Sequence, residues 1–209
     1  VDIGGGTTKF ALVHGGRLLE SAAIAVGGRL VALDDNGNIT RIEEPALRLA
    51  AATGINLKLG TSLTSDDRKK LVRTMVDVLV RSIARDELDD IFDDLILTPP
   101  LPANIKIDAI TFSGGVSEYV FGRETMDHGD LGRDVAAGLK EALQSKEIVY
   151  PVYDPGQGIR ATVVGASQFT VQVSGNTIYL NCPDSLPIRN VPVIRLDATH
   201  SNEIISRDV

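Results

Sequence analysis

Val1-Asp2-Ile3-Gly4-Gly5-Gly6-Thr7-Thr8 decides how the rest of this sequence is read. A short apolar strand runs into three glycines and then two hydroxyl residues. A phosphate group needs several backbone N–H donors converging on it, and glycine, lacking a Cβ, lets the backbone come that close. Thr7 and Thr8 add hydroxyl donors. Asp2, at the strand's end, accepts only when ionised and is suited to hold Mg²⁺ through its water shell. No Gly-Lys-Ser/Thr follows at a Walker offset, and the glycines lead into a strand rather than a helix, unlike a dinucleotide fingerprint. The bland alternative is a glycine-rich hairpin turn.

Working outward, Lys9-Phe10-Ala11-Leu12-Val13 and residues 18–25 read as two further strands around Gly15-Gly16. Asp34-Asp35-Asn36-Gly37-Asn38 carries the Asn-Gly signal of a hairpin between residues 30–33 and 39–42. Pro45 suits the first turn of a helix over residues 46–52, with Gly54 as its stop. Ser65 is expected to cap a second helix, with Asp66 and Asp67 in its first turn. Its apolar stripe is Leu71, Val72, Met75, Val76, Leu79, Val80 and Ile83. Leu88, Ile91, Phe92, Leu95 and Ile96 form another amphipathic pattern, ended by Thr98-Pro99-Pro100-Leu101-Pro102. Strand character returns at Ala109-Ile110-Thr111-Phe112 and runs into Ser113-Gly114-Gly115. A helix is expected within residues 130–144, then a short apolar stretch, Ile148-Val149-Tyr150, ended by Pro151. Residues 169–173 and 177–180 bracket a hairpin at Ser174-Gly175-Asn176.

This alternation specifies an α/β fold. Residues 1–27 and 105–209 would form the core, and residues 28–104 an inserted, mainly helical lobe.

Composition narrows the function classes. The 209 residues are 43% hydrophobic and 23% charged, as in a folded domain, and the net charge of −7 argues against nucleic acid as a partner. Arg68-Lys69-Lys70, the densest basic run, follows Asp66-Asp67 and reads first as a solvated helix face. Cys182 is single, so no intrachain disulfide forms, which suits a reducing cytosol. His14, His128 and His200 show no metal-ligand spacing. No apolar run approaches the ~18 residues of a membrane span, and no signal peptide is visible. A start without Met, directly on a strand, is expected of a fragment of a longer protein.

Two further constellations matter by position. The paired glycines of Ser113-Gly114-Gly115 would let a ribose or a flat ring lie against the backbone, although a plain helix-entry turn has the same sequence. Gly165-Ala166, within Arg160-Ala161-Thr162-Val163-Val164-Gly165-Ala166-Ser167, would let a helix pack very close to another. In this order the three resemble the signatures of the actin, sugar-kinase and DnaK-type ATPase superfamily, with its ribonuclease H-like fold. The Asp2 loop resembles the second phosphate motif, Ser113-Gly114-Gly115 the adenosine motif, and the Gly165-Ala166 helix the second connecting helix. More narrowly, five strings resemble the ethanolamine ammonia-lyase reactivating factor family. They are residues 1–13, Val26-Gly27-Gly28-Arg29-Leu30, Phe112-Ser113-Gly114-Gly115-Val116-Ser117-Glu118, residues 160–166, and Leu186-Pro187-Ile188-Arg189-Asn190-Val191-Pro192. The likeness covers nearly the whole chain and is weakest over residues 45–104.

The resemblance implies the second half of an actin-like ATPase that loosens an adenosylcobalamin-dependent lyase so that damaged cofactor leaves. Asp2 would sit near Mg²⁺ and its waters, and Gly4, Gly5, Gly6, Thr7 and Thr8 around the ATP phosphates. Gly114 and Gly115 would border the adenosine, with Arg68, Lys69 and Arg73 on the adenine side. Arg29 and Glu118 lie in the family strings without an assigned role. The implied partner is ethanolamine ammonia-lyase, with no nucleic acid and no membrane. The implied location is the cytoplasm, and association with a bacterial microcompartment is raised. The first phosphate motif has no counterpart here, so no catalytic residue is assigned, and residues 1–209 alone are expected to hydrolyse no ATP. A small-molecule kinase, a filament-forming relative and a chaperone for another client share these motifs.

Overall fold

The computed structural model describes residues 1–156 and 158–161. The expected 165–166 helix, the 169–180 hairpin, Cys182, residues 186–192 and His200 lie outside them.

Strands β1 (Asp2–Ile3), β2 (Thr8–His14) and β3 (Arg17–Ile24) form an antiparallel meander. Alternation sets its inner face: Thr8 and Phe10 on β2, and Ala22 and Ile24 on β3, are buried. Residues 24–26 lead from β3 into the core, and then Gly27-Gly28 turns the chain. The β4 (Val31–Leu33) and β5 (Ile39–Ile42) hairpin closes on the Asn-Gly turn, where the Asp34 carboxylate accepts from the Asn36 and Asn38 N–H groups at 2.9 and 2.8 Å.

Helix α1 (Glu44–Ala52) starts with Pro45 in its first turn, as its fixed φ favours. Helix α2 (Ser65–Ala84) begins on Ser65 itself, so its cap lies one residue earlier than expected. Thr64, not Ser65, is the cap: its Oγ1 accepts the Asp67 N–H at 3.1 Å. Asp67 closes the exchange by accepting the Thr64 hydroxyl at 2.9 Å, so the hydroxyl three positions before the acid prevails. The helix ends on Arg85 at φ 65, a conformation costly for arginine. Its guanidinium offsets that cost by donating to the Pro102 and Ile105 carbonyls at 3.0 and 2.5 Å.

Two further expectations fail. The Leu88-to-Ile96 pattern is not an α-helix but a 3-10 helix, Asp90–Leu95, burying Phe92 and Leu95 at the three-residue spacing of that helix, while Ile91 is 56% exposed. Pro151, expected to end the apolar stretch Ile148-Val149-Tyr150, is followed at once by the strand β7 (Val152–Tyr153). Proline lacks an N–H but keeps its carbonyl, and the Pro151 oxygen accepts the Ile110 N–H at 2.9 Å, so it opens the strand instead of ending one.

β7 pairs in parallel with β6 (Ile110–Thr111). Ser113, just beyond β6, makes a parallel bridge to Asp2: the Ile3 N–H donates to Ser113 O, and the Ser113 N–H to Val1 O, both at 2.8 Å. The lateral strand order is therefore β3-β2-β1-β6-β7. All but β2 point the same way, because β3 is antiparallel to β2 and β2 to β1. Helix α3 (Gly115–Val120) follows at once, and α4 (Gly132–Gln144) lies against α2. Leu71, Met75 and Leu79 of α2, and Val135 and Leu139 of α4, are fully buried at helical spacing. The expected boundaries at 28 and 104 are bridged by one continuous core that takes in both segments.

Candidate functional site

In a sheet with parallel strands, ligands collect at the carboxyl ends, where the outgoing loops meet. Four outgoing segments meet there in this fold. β1 delivers Gly4-Gly5-Gly6, β3 delivers Gly27-Gly28-Arg29, β6 delivers Gly114-Gly115, and β7 delivers residues 154–156 and 158–159.

The loops are pinned to one another through backbone. The Gly4 N–H bonds Thr7 O at 3.0 Å, which folds the first loop back on itself. The Gly28 and Arg29 N–H groups donate to Gly4 O and Gly5 O at 2.9 and 2.6 Å. Gly27 is a glycine by necessity, since a Cβ there would stand 2.5 Å from Gly5 O. The Gly5 and Gly6 N–H groups, by contrast, meet no acceptor among the described residues. Two unspent donors on an exposed glycine loop are what an anion requires.

Gly114 joins the second wall to the first. It sits at φ 83 and ψ 175, a region essentially restricted to glycine. A Cβ here would overlap the Ile3 carbonyl oxygen and lie 2.6 Å from the Asp2 carboxylate. The turn is thus the entry to α3, and it presses directly on Asp2. Gly4, Gly5 and Gly115 line one cleft of about 240 Å³ with Gly28, Arg29 and Glu118. Larger grooves exist elsewhere, one of about 630 Å³ between α2 and α4. Volume does not pick the site here; converging glycines and free N–H groups do. At about 240 Å³ the cleft is below the usual range of ligand pockets, and it matches the phosphate end of a nucleotide rather than the whole.

The residues named from sequence divide as follows. Gly4, Gly5 and Gly115 line the cleft, and Asp2 and Gly114 lie directly behind it. Gly6 is exposed at the tip of its loop and Thr7 is half-buried beside it. Thr8 is a correction: it is fully buried, and its hydroxyl donates to Val26 O at 2.6 Å, so it holds β2 to the core and offers a phosphate nothing. Arg68 is bound to Asp134 at 2.6 Å and to Asp130 O at 3.1 Å, which ties α2 to α4. Lys69 and Arg73 stand with it in the α2–α4 groove rather than in the glycine cleft. Sequence reading assigned no site role to Gly27, nor to Gly132, Tyr119 and His128, which line the same cleft, with the Tyr119 and His128 rings edge-on at 6.3 Å. The paired glycines of Val26-Gly27-Gly28 were a signal for the first; for the other three there was none.

Glu118, unassigned from sequence, anchors a clamp at the rim. Arg123 donates to both its oxygens at 2.9 and 3.0 Å and to Asp154 at 2.7 and 2.6 Å, with its guanidinium 5.0 Å from the centre of the Phe121 ring. Glu118 also accepts the Ile159 N–H at 3.0 Å, so Asp154, through Arg123, and Ile159 are both fastened to α3. Arg123, and then the Ile159 N–H, hold the Glu118 carboxyl below its ordinary value of 4.5. The Gly156 N–H and then Arg123 do the same for Asp154, ordinarily 3.8. Carboxyls lowered by folding stabilise the fold above their ordinary values, and that stability is lost as pH falls through the lower, folded ones. Thermal stability should therefore hold from neutral pH down to those ordinary values and fall below them. Arg123→Gln should flatten that acid limb; a melting curve against pH superimposable on the parent's would refute the clamp.

The family model "Ethanolamine utilisation protein EutA" matches residues 1–208. The chain belongs to that family. "Ethanolamine ammonia-lyase reactivase EutA" of Salmonella typhimurium strain LT2 is 34% identical over 195 residues, 92% of this chain and 41% of that protein. The protein of the same name from Escherichia coli strain K12 is 34% identical over 206 residues, 95% of this chain and 42% of its own length. The chain thus spans about two fifths of these EutA relatives. No solved structure matches the chain. Among the described residues, no helix is long and apolar enough to cross a membrane.

Proposed function

We propose that this chain is the nucleotide-gripping part of a chaperone-like reactivating factor for adenosylcobalamin-dependent ethanolamine ammonia-lyase. In this reading it has an actin-like, ribonuclease H-like fold and works in the cytoplasm. The observation that carries the reading is the convergence of Gly4-Gly5, Gly28 and Gly115 at the carboxyl ends of β1, β3 and β6. The strand order β3-β2-β1-β6-β7, with only β2 reversed, supports the fold assignment, and the names of the two EutA relatives support the client.

The residues fit a magnesium nucleotide. Gly5 and Gly6 present unspent N–H donors, and Thr7 stands half-buried beside them. Asp2 is held against Gly114 at the base of the cleft, where its carboxylate can order the waters of a divalent cation. Mg·ATP, when bound, supplies the free energy of phosphoanhydride cleavage. This chain's part is to hold the phosphate chain and pass its presence outward. Arg123 links Glu118 to Asp154, so a change at the glycine walls reaches Asp154 and Ile159 without a separate relay. The output is a shift in population between conformations that bind the lyase differently.

Reactivation tests the proposal. Intact protein with ATP and Mg²⁺ should restore ethanolamine ammonia-lyase inactivated by damaged cobalamin, and Asp2→Asn should fail to do so. A lyase that stays inactive with the parent protein would overturn the reading.

A further inference from the structure

We infer that Arg29 is a phosphate-binding residue of the cleft, its guanidinium closing on the nucleotide's phosphate chain; this rests on the nucleotide reading above. Four observations carry it.

First, Arg29 is fixed to the phosphate loop. Its N–H donates to Gly5 O at 2.6 Å, and a Cβ on Gly5 would touch the Arg29 Cβ at 3.4 Å. The root of the side chain therefore moves with the loop that offers the free Gly5 and Gly6 donors.

Second, the charged groups of the cleft are unequal in what they have left to give. Glu118 is bound by Arg123 and the Ile159 N–H. Glu124 accepts the Thr125 and Met126 N–H groups at 2.7 and 2.8 Å and pairs with His128 at 3.1 Å. Asp130 accepts the Gly132 N–H at 2.8 Å. Each carboxylate accepts at least one of the protein's own donors. Arg29 lines the same cleft, is exposed, and has no side-chain hydrogen bond or ion pair among the described residues.

Third, the sign is right only for an anion. Beside Asp2, whose carboxylate serves the cation in this reading, the guanidinium and the Gly5 and Gly6 N–H groups stand without a partner among the described residues, and all three donate. A planar fork of N–H donors matches phosphate oxygens in pairs, which lysine's point charge does not.

Fourth, the position is not one that packing demands. Gly27 and Gly28 are buried, and their neighbours forbid a side chain; Arg29, next in sequence, is exposed. A solvated surface arginine is the alternative, and binding distinguishes the two.

The experiment uses the intact protein with ATP, tripolyphosphate and adenosine as separate probes, measured by calorimetry or by competition against a fluorescent ATP analogue. Arg29→Gln should weaken ATP and tripolyphosphate about tenfold or more, the size of a lost charge-assisted pair, and leave adenosine unchanged. Arg29→Lys should recover part of the loss. A melting temperature equal to the parent's shows that the fold is intact. Unchanged ATP affinity in Arg29→Gln, or an equal loss for adenosine, would overturn the inference while the nucleotide reading survives. Parent protein that binds neither ATP nor tripolyphosphate would sink both.

Discussion

Gly114→Ala should destabilise the intact protein by roughly 2–5 kcal/mol, combining backbone strain with overpacking. It should also abolish nucleotide binding. The alanine would have to keep φ 83 and ψ 175 while its methyl met the Ile3 carbonyl and the Asp2 carboxylate. Neither neighbour can retreat. Ile3 is held by its bond to Ser113 O, and Asp2 is paired in register with Lys9. Relief would require β1 and the turn to separate, which opens the cleft. Gly115→Ala is the matched control, because a Cβ there meets nothing within 4 Å and the residue is already helical. It should stay within about 0.5 kcal/mol of the parent, as benign surface changes do. Urea unfolding of both variants decides the matter, and equal losses would show that the contact with β1 is unimportant.

Phe112→Ala should cost about 3–5 kcal/mol, the range for a large aromatic removed from a packed core. Phe112 is fully exposed to the core and not at all to solvent, and it lies between β6 and the Ser113-Gly114 turn. Phe112→Leu keeps most of the volume and should cost less than about 1.5 kcal/mol. If the two variants unfolded at the same urea concentration, the ring's bulk would not be what holds the turn.

Much of this architecture was legible in the sequence because it rests on local chemistry. The Gly15-Gly16 and Asn36-Gly37 turns, the Pro45 helix start and the α2 stripe each depend on a few adjacent residues. What was misread depended on distant partners. Pro151 looked like a terminator until its carbonyl found Ile110, and Thr8 looked like a phosphate ligand until its hydroxyl found Val26. The Leu88–Ile96 stretch has apolar residues at helical spacing, but the tertiary environment buries Phe92 and Leu95 and leaves Ile91 in solvent. The site divided the same way. The Asp2 loop and Gly114-Gly115 could be picked out from their glycines alone, whereas Gly27 matters only because the segment leaving β3 packs on the Gly4-Gly5 loop, and Arg29 only because neighbouring acids already accept from the protein's own donors.

The bridge between Asp2 and Ser113 has a kinetic consequence. The first strand waits for a neighbour about 110 positions downstream, as the Val1–Thr111 contact beside it shows. At translation speeds of about 5–20 residues per second, that edge leaves the ribosome roughly 5–20 s before its partner exists. Until then β1 is an open edge, ready to pair with another nascent chain. The chain is thus most vulnerable while half made, and slower expression at lower temperature should raise its soluble yield.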